Sequence, residues 1–327
     1  MKIILLGGLL SSILCLVSGK IFIPLLKKFN FSQTILEDVK EHNYKNGTPT
    51  MGGTFVILSA ILVFFVLNGI KNHLSIMGLS LILGFFSIGL IDDYLKIKLK
   101  RNLGLTAMQK SLFQLVISLL GSIYVFQSGL DFVYIPFTLK RLNLGYFSII
   151  INVITFIATV NSVNLIDGLD GLCSGTSSSY LVFSSFLVLI ELTKNKDFYI
   201  LENEYTSLVL LSFCFAGSLL GFLVFNTFKA SIFLGDTGSL GIGGAIAVFS
   251  IFTGNTLYIP ILGIVYLITT LSVIIQVAHF KRTGKRVFLI APLHHHFSRK
   301  GKSEANIFYI YTFITILVGV IILISVI

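Results

Sequence analysis

Ten continuously apolar stretches separated by polar segments are the feature that most limits how this chain can fold. A helix needs about 20 apolar residues to cross roughly 30 Å of hydrocarbon, whereas barrel strands would show about ten residues of alternating polarity. We therefore predict an all-α, polytopic membrane protein with about ten transmembrane helices, forming one domain over residues 1–327. The stretches lie at 3–24, 53–70, 74–91, 109–127, 146–163, 175–192, 206–225, 239–252, 257–278 and 305–327.

Composition and charge agree with this class and indicate an orientation. The chain is 55% hydrophobic and only 12% charged, too little charge to cover a soluble surface. Most of its 24 lysines and arginines follow odd-numbered stretches. The positive-inside rule then predicts that these segments are cytoplasmic and that both termini lie outside. This topology accounts for most of the net charge of +10, so no nucleic-acid partner is expected.

Carboxylates follow the same odd-numbered stretches. Asp92 and Asp93 follow the third stretch, Asp167 and Asp170 the fifth, and Asp236 the seventh. Because each crossing reverses the side, these segments should share one face of the membrane. Carboxylates so near hydrocarbon should face water, protein or a bound cation. The pattern predicts an active site or a transport path at that face.

The adjacent pair Asp92-Asp93 favours a metal site or a base, because neighbouring carboxylates repel unless a cation or a shared proton relieves them. The alternative is a pair that stabilises a helix terminus. Asp236 lies among glycines and hydroxyls, but no strand precedes it, which excludes a Rossmann nucleotide loop.

The polar segment after the fifth stretch repeats every three residues. Asn161, Asn164, Asp167 and Asp170 would drift slowly around one face of a helix, and two Asp-Gly pairs would let a ligand approach closely. The alternative is a polar helix cap.

Three consecutive histidines, His294, His295 and His296, follow the ninth stretch. They cannot all point one way, so at most two should meet a ligand. Zinc is disfavoured because no cysteine lies nearby and the partner acids suit a hard cation. We favour phosphate contacts. Lys45 and Thr50 precede the second stretch, where a helix start suits an anionic ligand, although Thr50 is equally suited to capping.

Together these segments closely resemble the MraY family of phospho-N-acetylmuramoyl-pentapeptide-transferases. Five motifs appear in the family's order: KNGTPTMGG, DDYLK, NSVNLIDGLDGL, FNTFKASIFLGDTGSLGIGG and APLHHHF. They span residues 45–297, and their joint order is highly specific.

The resemblance implies transfer of phospho-MurNAc-pentapeptide from UDP-MurNAc-pentapeptide to undecaprenyl phosphate, giving lipid I and UMP. It implies Mg²⁺ as cofactor, a cytoplasm-facing site in the bacterial inner membrane, and a homodimer. Positions that match the family's catalytic residues are Asp92, Asp93, Asp236 and His294, with Asp236 as the metal ligand. Positions that match substrate recognition are Lys45, Thr50, Lys96, Lys110, Asn161, Asn164, Asp167, Asp170, Asn226, Phe233, His295 and His296.

By family position, Phe233 is expected to stack on uracil and Asp170 to accept its imide proton. Asp92 is expected to keep the lipid phosphate deprotonated for direct attack, with a covalent aspartyl-phosphate on Asp236 as the competing route. Two other functions stay open. A transferase that uses UDP-GlcNAc shares much of this pattern, and a transporter would also place carboxylates in membrane spans, although near the midplane on broken helices.

Overall fold

The computed structural model of the protein describes residues 1–28, 47–68, 72–99, 101, 103–194 and 201–327, and most of them are helical. The elements are α1 (Lys2–Lys28), α2 (Gly53–Asn68), α3 (His73–Lys98), α4 (Ala107–Gln127), β1 (Phe132–Tyr134), β2 (Arg141–Asn143), α5 (Phe147–Ile166), α6 (Leu172–Lys194), α7 (Glu202–Asn226), α8 (Gly235–Phe252), a 3₁₀ turn (Thr256–Tyr258), α9 (Ile259–Leu262), α10 (Ile264–Thr283), α11 (Leu293–Arg299) and α12 (Glu304–Val326).

Over the described residues, each of the ten apolar stretches contains helix, which confirms the predicted all-α membrane architecture. Within the described residues, nine helices are long and apolar enough to cross a membrane, namely α1, α3 to α8, α10 and α12. The remaining apolar stretch forms α2, whose 16 residues are shorter than an ordinary crossing. The eighth helix begins at Gly235, four residues before the predicted start, which brings Asp236 into its first turn.

The ninth stretch was predicted as one continuous span, and this was wrong. It divides at Gly263, which ends α9 and precedes α10 with a backbone outside the helical region. A side chain at this position would place Cβ 2.7 Å from the Ile259 carbonyl oxygen, so only glycine fits the break. Apolar composition therefore identified the membrane segment but not its interruption.

Helix α8 is the centre of the bundle. It is buried over nearly its whole length and packs against α3, α5, α2, α6 and α7. A helix without a polar face is stable only when it is enclosed in this way. The approach of α3 is very close, since a Cβ built on Gly89 would lie 2.1 Å from the Asp236 carbonyl oxygen. This contact sets the separation between the Asp92-Asp93 pair and Asp236.

A small hairpin covers the opposite end of the bundle. Strands β1 and β2 pair antiparallel, and the Tyr134 N–H donates to the Gly254 carbonyl after α8. Glu191 and Asn255 are buried beneath it, and with Arg141 and Tyr134 of the hairpin they form a group that we call the Glu191 cluster. Asn255 donates to Glu191 over 2.9 Å, and Arg141 donates to the Tyr134 hydroxyl over 3.1 Å. The hairpin was not predicted because three-residue strands carry no long periodic pattern.

The second half of α10 leaves the bundle. Its first half packs within the bundle, where the buried residues are Val265, Tyr266, Thr269 and Ser272. Beyond them the helix is largely exposed, as Phe280 at 50% illustrates. The chain then returns to α11 through residues 284–292.

Candidate active site

Asp92 and Asp93 lie within α3, not after it as predicted, because the helix continues two turns beyond the apolar stretch to Lys98. Both are completely buried. Helical geometry then places Lys96 on the same face as Asp92, one turn further on. The Lys96 ammonium lies 2.7 Å from Asp92 Oδ2 and 3.8 Å from Asp93 Oδ1.

Asp236 approaches this pair from the first turn of α8. One carboxylate oxygen from each of Asp92, Asp93 and Asp236 lies within 4.8 Å of the others. Lys96 contacts Asp236 Oδ2 at 2.9 Å. Lys110, on the first turn of α4, lies 2.7 Å from the same oxygen and 3.1 Å from Asp92. We call these five residues the acid–lysine cluster.

Hydrogen bonds fix the orientation of each carboxylate. The Leu105 N–H donates to Asp92 Oδ1 over 2.7 Å. The N–H and hydroxyl of Thr237 both donate to Asp93 Oδ2, over 2.8 and 2.7 Å. These contacts hold two like charges side by side, because buried charges are stable only when paired and hydrogen-bonded.

Asn164 reaches Asp236 from the end of α5. Its amide donates to Asp236 Oδ1 over 2.9 Å and to the Ser239 hydroxyl over 2.8 Å. Both carboxylate oxygens of Asp236 are thus engaged, one by the amide and the other by two ammonium groups. The side chain is partly accessible, at 18%.

The cluster fits a hard divalent cation. Its three carboxylates offer oxygen ligands, which Mg²⁺ prefers, and exceed the two lysines in charge when all are ionised. Among the described residues, Asp93 Oδ1 accepts no hydrogen bond. A coordination position is therefore available on Asp93 Oδ1, beside Asp236.

Asn161 and Asp167, the other predicted polar residues near the end of α5, lie in different surroundings. Asn161 exchanges hydrogen bonds with Gln114 of α4, the shorter being 2.8 Å, so its amide joins two helices. Asp167 directly follows the last residue of α5, and it is half-buried. The predicted helical face therefore extends only to Asn164, after which the chain turns.

Asp170 and Asn226 hold this turn in place. Asp170 Oδ2 accepts from the Ala230 N–H over 3.0 Å, and its own N–H donates to Glu304 of α12. Asn226 accepts from Gly171 and donates to the Ile232 carbonyl. The turn after α5 is thereby bonded to the segment before α8.

The histidines separate as their spacing requires. A Cβ on Gly168 would lie 2.5 Å from His294 Nε2 and 2.6 Å from His295 Nε2, so both rings face this glycine. His296 turns elsewhere and accepts from the Leu289 N–H over 3.1 Å. Two of the three histidines thus adjoin the turn between Asp167 and Asp170.

His294 is completely buried, and neither ring nitrogen has a hydrogen-bond partner among the described residues. Burial lowers the pKa of His294 well below its ordinary value, and neighbouring His295 acts in the same direction while Glu304 opposes it. The neutral imidazole is therefore the stable form in the folded protein.

The segment before α2 completes the site. Pro49 accepts from the Phe233 N–H, and Gly52 donates to the Phe233 carbonyl. Thr50 is buried three residues before α2 begins, beside the position where Gly235 adjoins Asp93. Lys45 lies outside the described residues.

Four contributing residues were not predicted. Gln114, Thr237 and Ser239 are ordinary polar residues in apolar helices, and only their partners reveal a role. Glu304 carried a usable signal, since it is the one acidic residue that opens the last apolar stretch.

The sequence is similar to transferases of known family. The family model for glycosyl transferase family 4 matches residues 75–254. A phospho-N-acetylmuramoyl-pentapeptide-transferase of Clostridioides difficile (strain 630) is 42% identical, over 98% of this chain and 96% of the relative. One of Shouchella clausii (strain KSM-K16) is also 42% identical, over 90% of this chain and 89% of the relative.

Proposed function

This chain belongs to the phospho-N-acetylmuramoyl-pentapeptide-transferase family, and we propose that the acid–lysine cluster is where it joins its two substrates. The reaction transfers phospho-MurNAc-pentapeptide from UDP-MurNAc-pentapeptide to undecaprenyl phosphate and yields lipid I and UMP. The observation that carries the proposed location is the convergence of Asp92, Asp93 and Asp236 with Lys96 and Lys110.

Phosphoryl transfer depends on alignment and charge neutralisation more than on covalent chemistry from the protein. The cluster supplies both. Lys96 and Lys110 present ammonium groups to one point, where they can contact phosphate oxygens and screen the charge that develops on departing UMP. Mg²⁺, when bound by Asp236 beside Asp92 and Asp93, supplies further neutralisation of the diphosphate.

Direct attack by the lipid phosphate is favoured over an aspartyl-phosphate. Asp236 is the nucleophile in the covalent route, yet its Oδ1 accepts from Asn164 and its Oδ2 contacts both lysines. Oxygens held this way are poor nucleophiles, since attack would break these contacts. Asp92 keeps the lipid phosphate deprotonated in this scheme.

The donor occupies the turn after α5 and the segments packed beside it. Asp167 and Asp170 lie in this turn, and His295 adjoins it. Phe233, half-buried in the segment before α8 that is bonded to the turn, stacks on uracil in the proposal. Asn164 connects the turn to the cluster. The remaining predicted contacts come from Lys45, Thr50 and His296, whereas Asn161 and Asn226 position the others through their protein partners.

This face of the bundle is cytoplasmic in the proposal, since the positive-inside rule places its lysines there. With α2 taken as the tenth crossing, both termini lie outside, and the membrane is the inner membrane of a bacterium. A homodimer is expected by family resemblance, and light scattering of the purified protein would measure it.

Donor competition tests the function. Purified protein with Mg²⁺ and undecaprenyl phosphate receives equal concentrations of UDP-MurNAc-pentapeptide and UDP-GlcNAc, and both lipid products are quantified. We expect the muramoyl product to predominate at least tenfold. Predominance of the GlcNAc product would show that UDP-GlcNAc is the donor. Turnover of neither donor would contradict the proposed function.

Metal binding has a test that needs no turnover. Mn²⁺ substitutes for Mg²⁺ and is followed by electron paramagnetic resonance with the wild type and Asp236→Asn. We expect the variant to weaken Mn²⁺ binding at least tenfold. Unchanged binding would show that the ion is held elsewhere.

A further inference from the structure

A cavity of about 650 Å³ lies where α10 leaves the bundle, between this helix and the returning segment that leads to α11. One side is apolar and includes Val273, Val277 and Phe280. The other carries the cations Lys281, Arg286 and Arg299, which lie on three different stretches of chain. A cavity of this volume, apolar with a few converging polar groups, is typical of ligand sites.

The walls of this cavity are tied together without a ligand. Gln276 accepts from the N–H groups of Val287 and Phe288, over 3.0 and 2.9 Å. It also donates to the Phe288 carbonyl over 3.1 Å. The returning segment is therefore held against α10 by hydrogen bonds at the level of the cavity, so binding needs little rearrangement.

The three cations carry positive charge that a ligand can neutralise. None forms an ion pair with an acidic side chain in the part of the chain that the structure describes, and all are exposed. Arg286 donates weakly to the Leu289 carbonyl over 3.4 Å. Their convergence favours an anion, and two arginines suit a phosphate in particular.

The apolar wall extends away from these cations along the helix. Val273 precedes Lys281 by eight residues, which corresponds to about 12 Å of helix. Exposed apolar side chains of α10, including Val277 at 47%, line that distance. A ligand that fills the cavity therefore has a phosphate at one end and hydrocarbon along the other.

From this geometry we propose that the cavity is a binding site for an anionic glycerophospholipid of the surrounding bilayer. The headgroup phosphate contacts Lys281, Arg286 and Arg299, and an acyl chain lies along Val277 and Val273. Basic pockets at the membrane surface bind anionic lipid headgroups in this manner.

The polyprenyl acceptor is a less suitable occupant. Its phosphate must reach Lys96 and Lys110, which lie on α3 and α4, and neither lines this cavity. Only this argument against the polyprenyl acceptor rests on the proposed function. Because lipid binding is measured without turnover, failure of the lipid site is distinguishable from failure of the proposed transferase function.

Native mass spectrometry of the full chain tests the site. Phosphatidylglycerol is titrated into protein purified in neutral detergent, with phosphatidylcholine as the comparison lipid. We expect Arg286→Gln with Arg299→Gln to weaken phosphatidylglycerol binding about tenfold or more, because two cations leave the phosphate. The matched control is Lys300→Gln with Lys302→Gln, two exposed cations of the same region outside the cavity, which should bind like the wild type.

A second variant addresses the apolar wall. Val277→Asp should also weaken phosphatidylglycerol binding, since it places an anion beside the acyl chain, and thermal melting confirms that each variant folds. Binding unchanged by the double arginine variant would overturn the proposal. So would displacement of the lipid by equimolar inorganic phosphate, which marks a free-phosphate site, or by equimolar undecaprenyl phosphate, which marks the acceptor site.

Discussion

Buried carboxylates lie at both ends of the bundle, but their surroundings differ. In the acid–lysine cluster, three carboxylates face two lysines, and the side chains of Lys110 and Asp236 are 25% and 18% accessible. In the Glu191 cluster, a single carboxylate, only 3% exposed, accepts from Asn255 and lies within the electrostatic influence of Arg141.

The number of charges and their access to solvent separate the proposed active site from a structural one. Three carboxylates against two ammonium groups leave negative charge that a metal ion can neutralise, and the accessible side chains let a substrate reach it. The Glu191 carboxylate, which is bonded to an amide and only 3% exposed, is closed to a substrate. In the proposal, the same functional group thus serves chemistry at one end, and at the other it holds Asn255, next to the Gly254 carbonyl that accepts from the hairpin.

The strongest test of this contrast exchanges a carboxylate for an amide at each end. Asp236→Asn should lower the rate of UMP release about 10³-fold, since it removes the proposed metal ligand and the partner of both lysines. Glu191→Gln, the matched change at the far end, should leave the rate within about threefold. Equal losses in both variants would show that the two ends are not functionally distinct.

Much of this contrast was accessible from the sequence, because membrane spans and clustered carboxylates are strong signals. The ten stretches became helices, and Asp92, Asp93 and Asp236 converge as their positions after odd-numbered stretches indicated. The exact end of α3 was missed, since the helix continues past its apolar stretch through charged residues that face the cluster.

The far end was not predictable for a physical reason. Glu191 and Asn255 are 64 residues apart; the first is a single acid near the end of an apolar stretch, and the second lies between two others. Only tertiary packing brings them together under the hairpin. The interruption at Gly263 was hidden as well, because glycine within an apolar stretch does not reveal by itself whether the helix continues.

The close approach of α3 to α8 gives the next largest expected effect. Gly89→Ala should destabilise the protein by about 3 kcal/mol, because the new Cβ would meet the Asp236 backbone, which cannot move aside cheaply. Gly84→Ala is the control on the same helix, where the nearest atom is the flexible Ile117 Cδ1 at 3.0 Å. Thermal unfolding in one detergent compares them. Equal midpoints for the two variants would contradict the close approach.

Removal of the far carboxylate should affect stability but not chemistry. Glu191→Ala leaves the buried amide of Asn255 without this acceptor, and we expect a loss of about 2 kcal/mol. Glu191→Gln retains an acceptor and should lose less. UMP release is measured for both variants well below their melting temperatures. A lower rate in Glu191→Ala would show that this cluster takes part in the reaction.

The smallest effect concerns acid sensitivity at the reactive end. The pKa of His294 is lowered in the folded state by burial and by His295, against the opposing charge of Glu304. In the unfolded chain the pKa of this histidine has its ordinary value of about 6.5. Below that pH the unfolded chain therefore binds a proton that the folded protein does not bind. Stability is therefore complete above about pH 6.5 and falls as the pH is lowered, by up to about 1.4 kcal/mol per pH unit.

Thermal midpoints between pH 7.5 and 5.5 measure this effect in the wild type, His294→Gln and His279→Gln. Glutamine at 294 does not titrate, so the midpoint of that variant should fall less steeply with acid. His279 is exposed on α10, and its replacement should keep the wild-type slope. If His294→Gln retained the full slope, acid sensitivity would arise elsewhere, and a buried neutral imidazole beside Gly168 would no longer explain how this end of the bundle responds to pH.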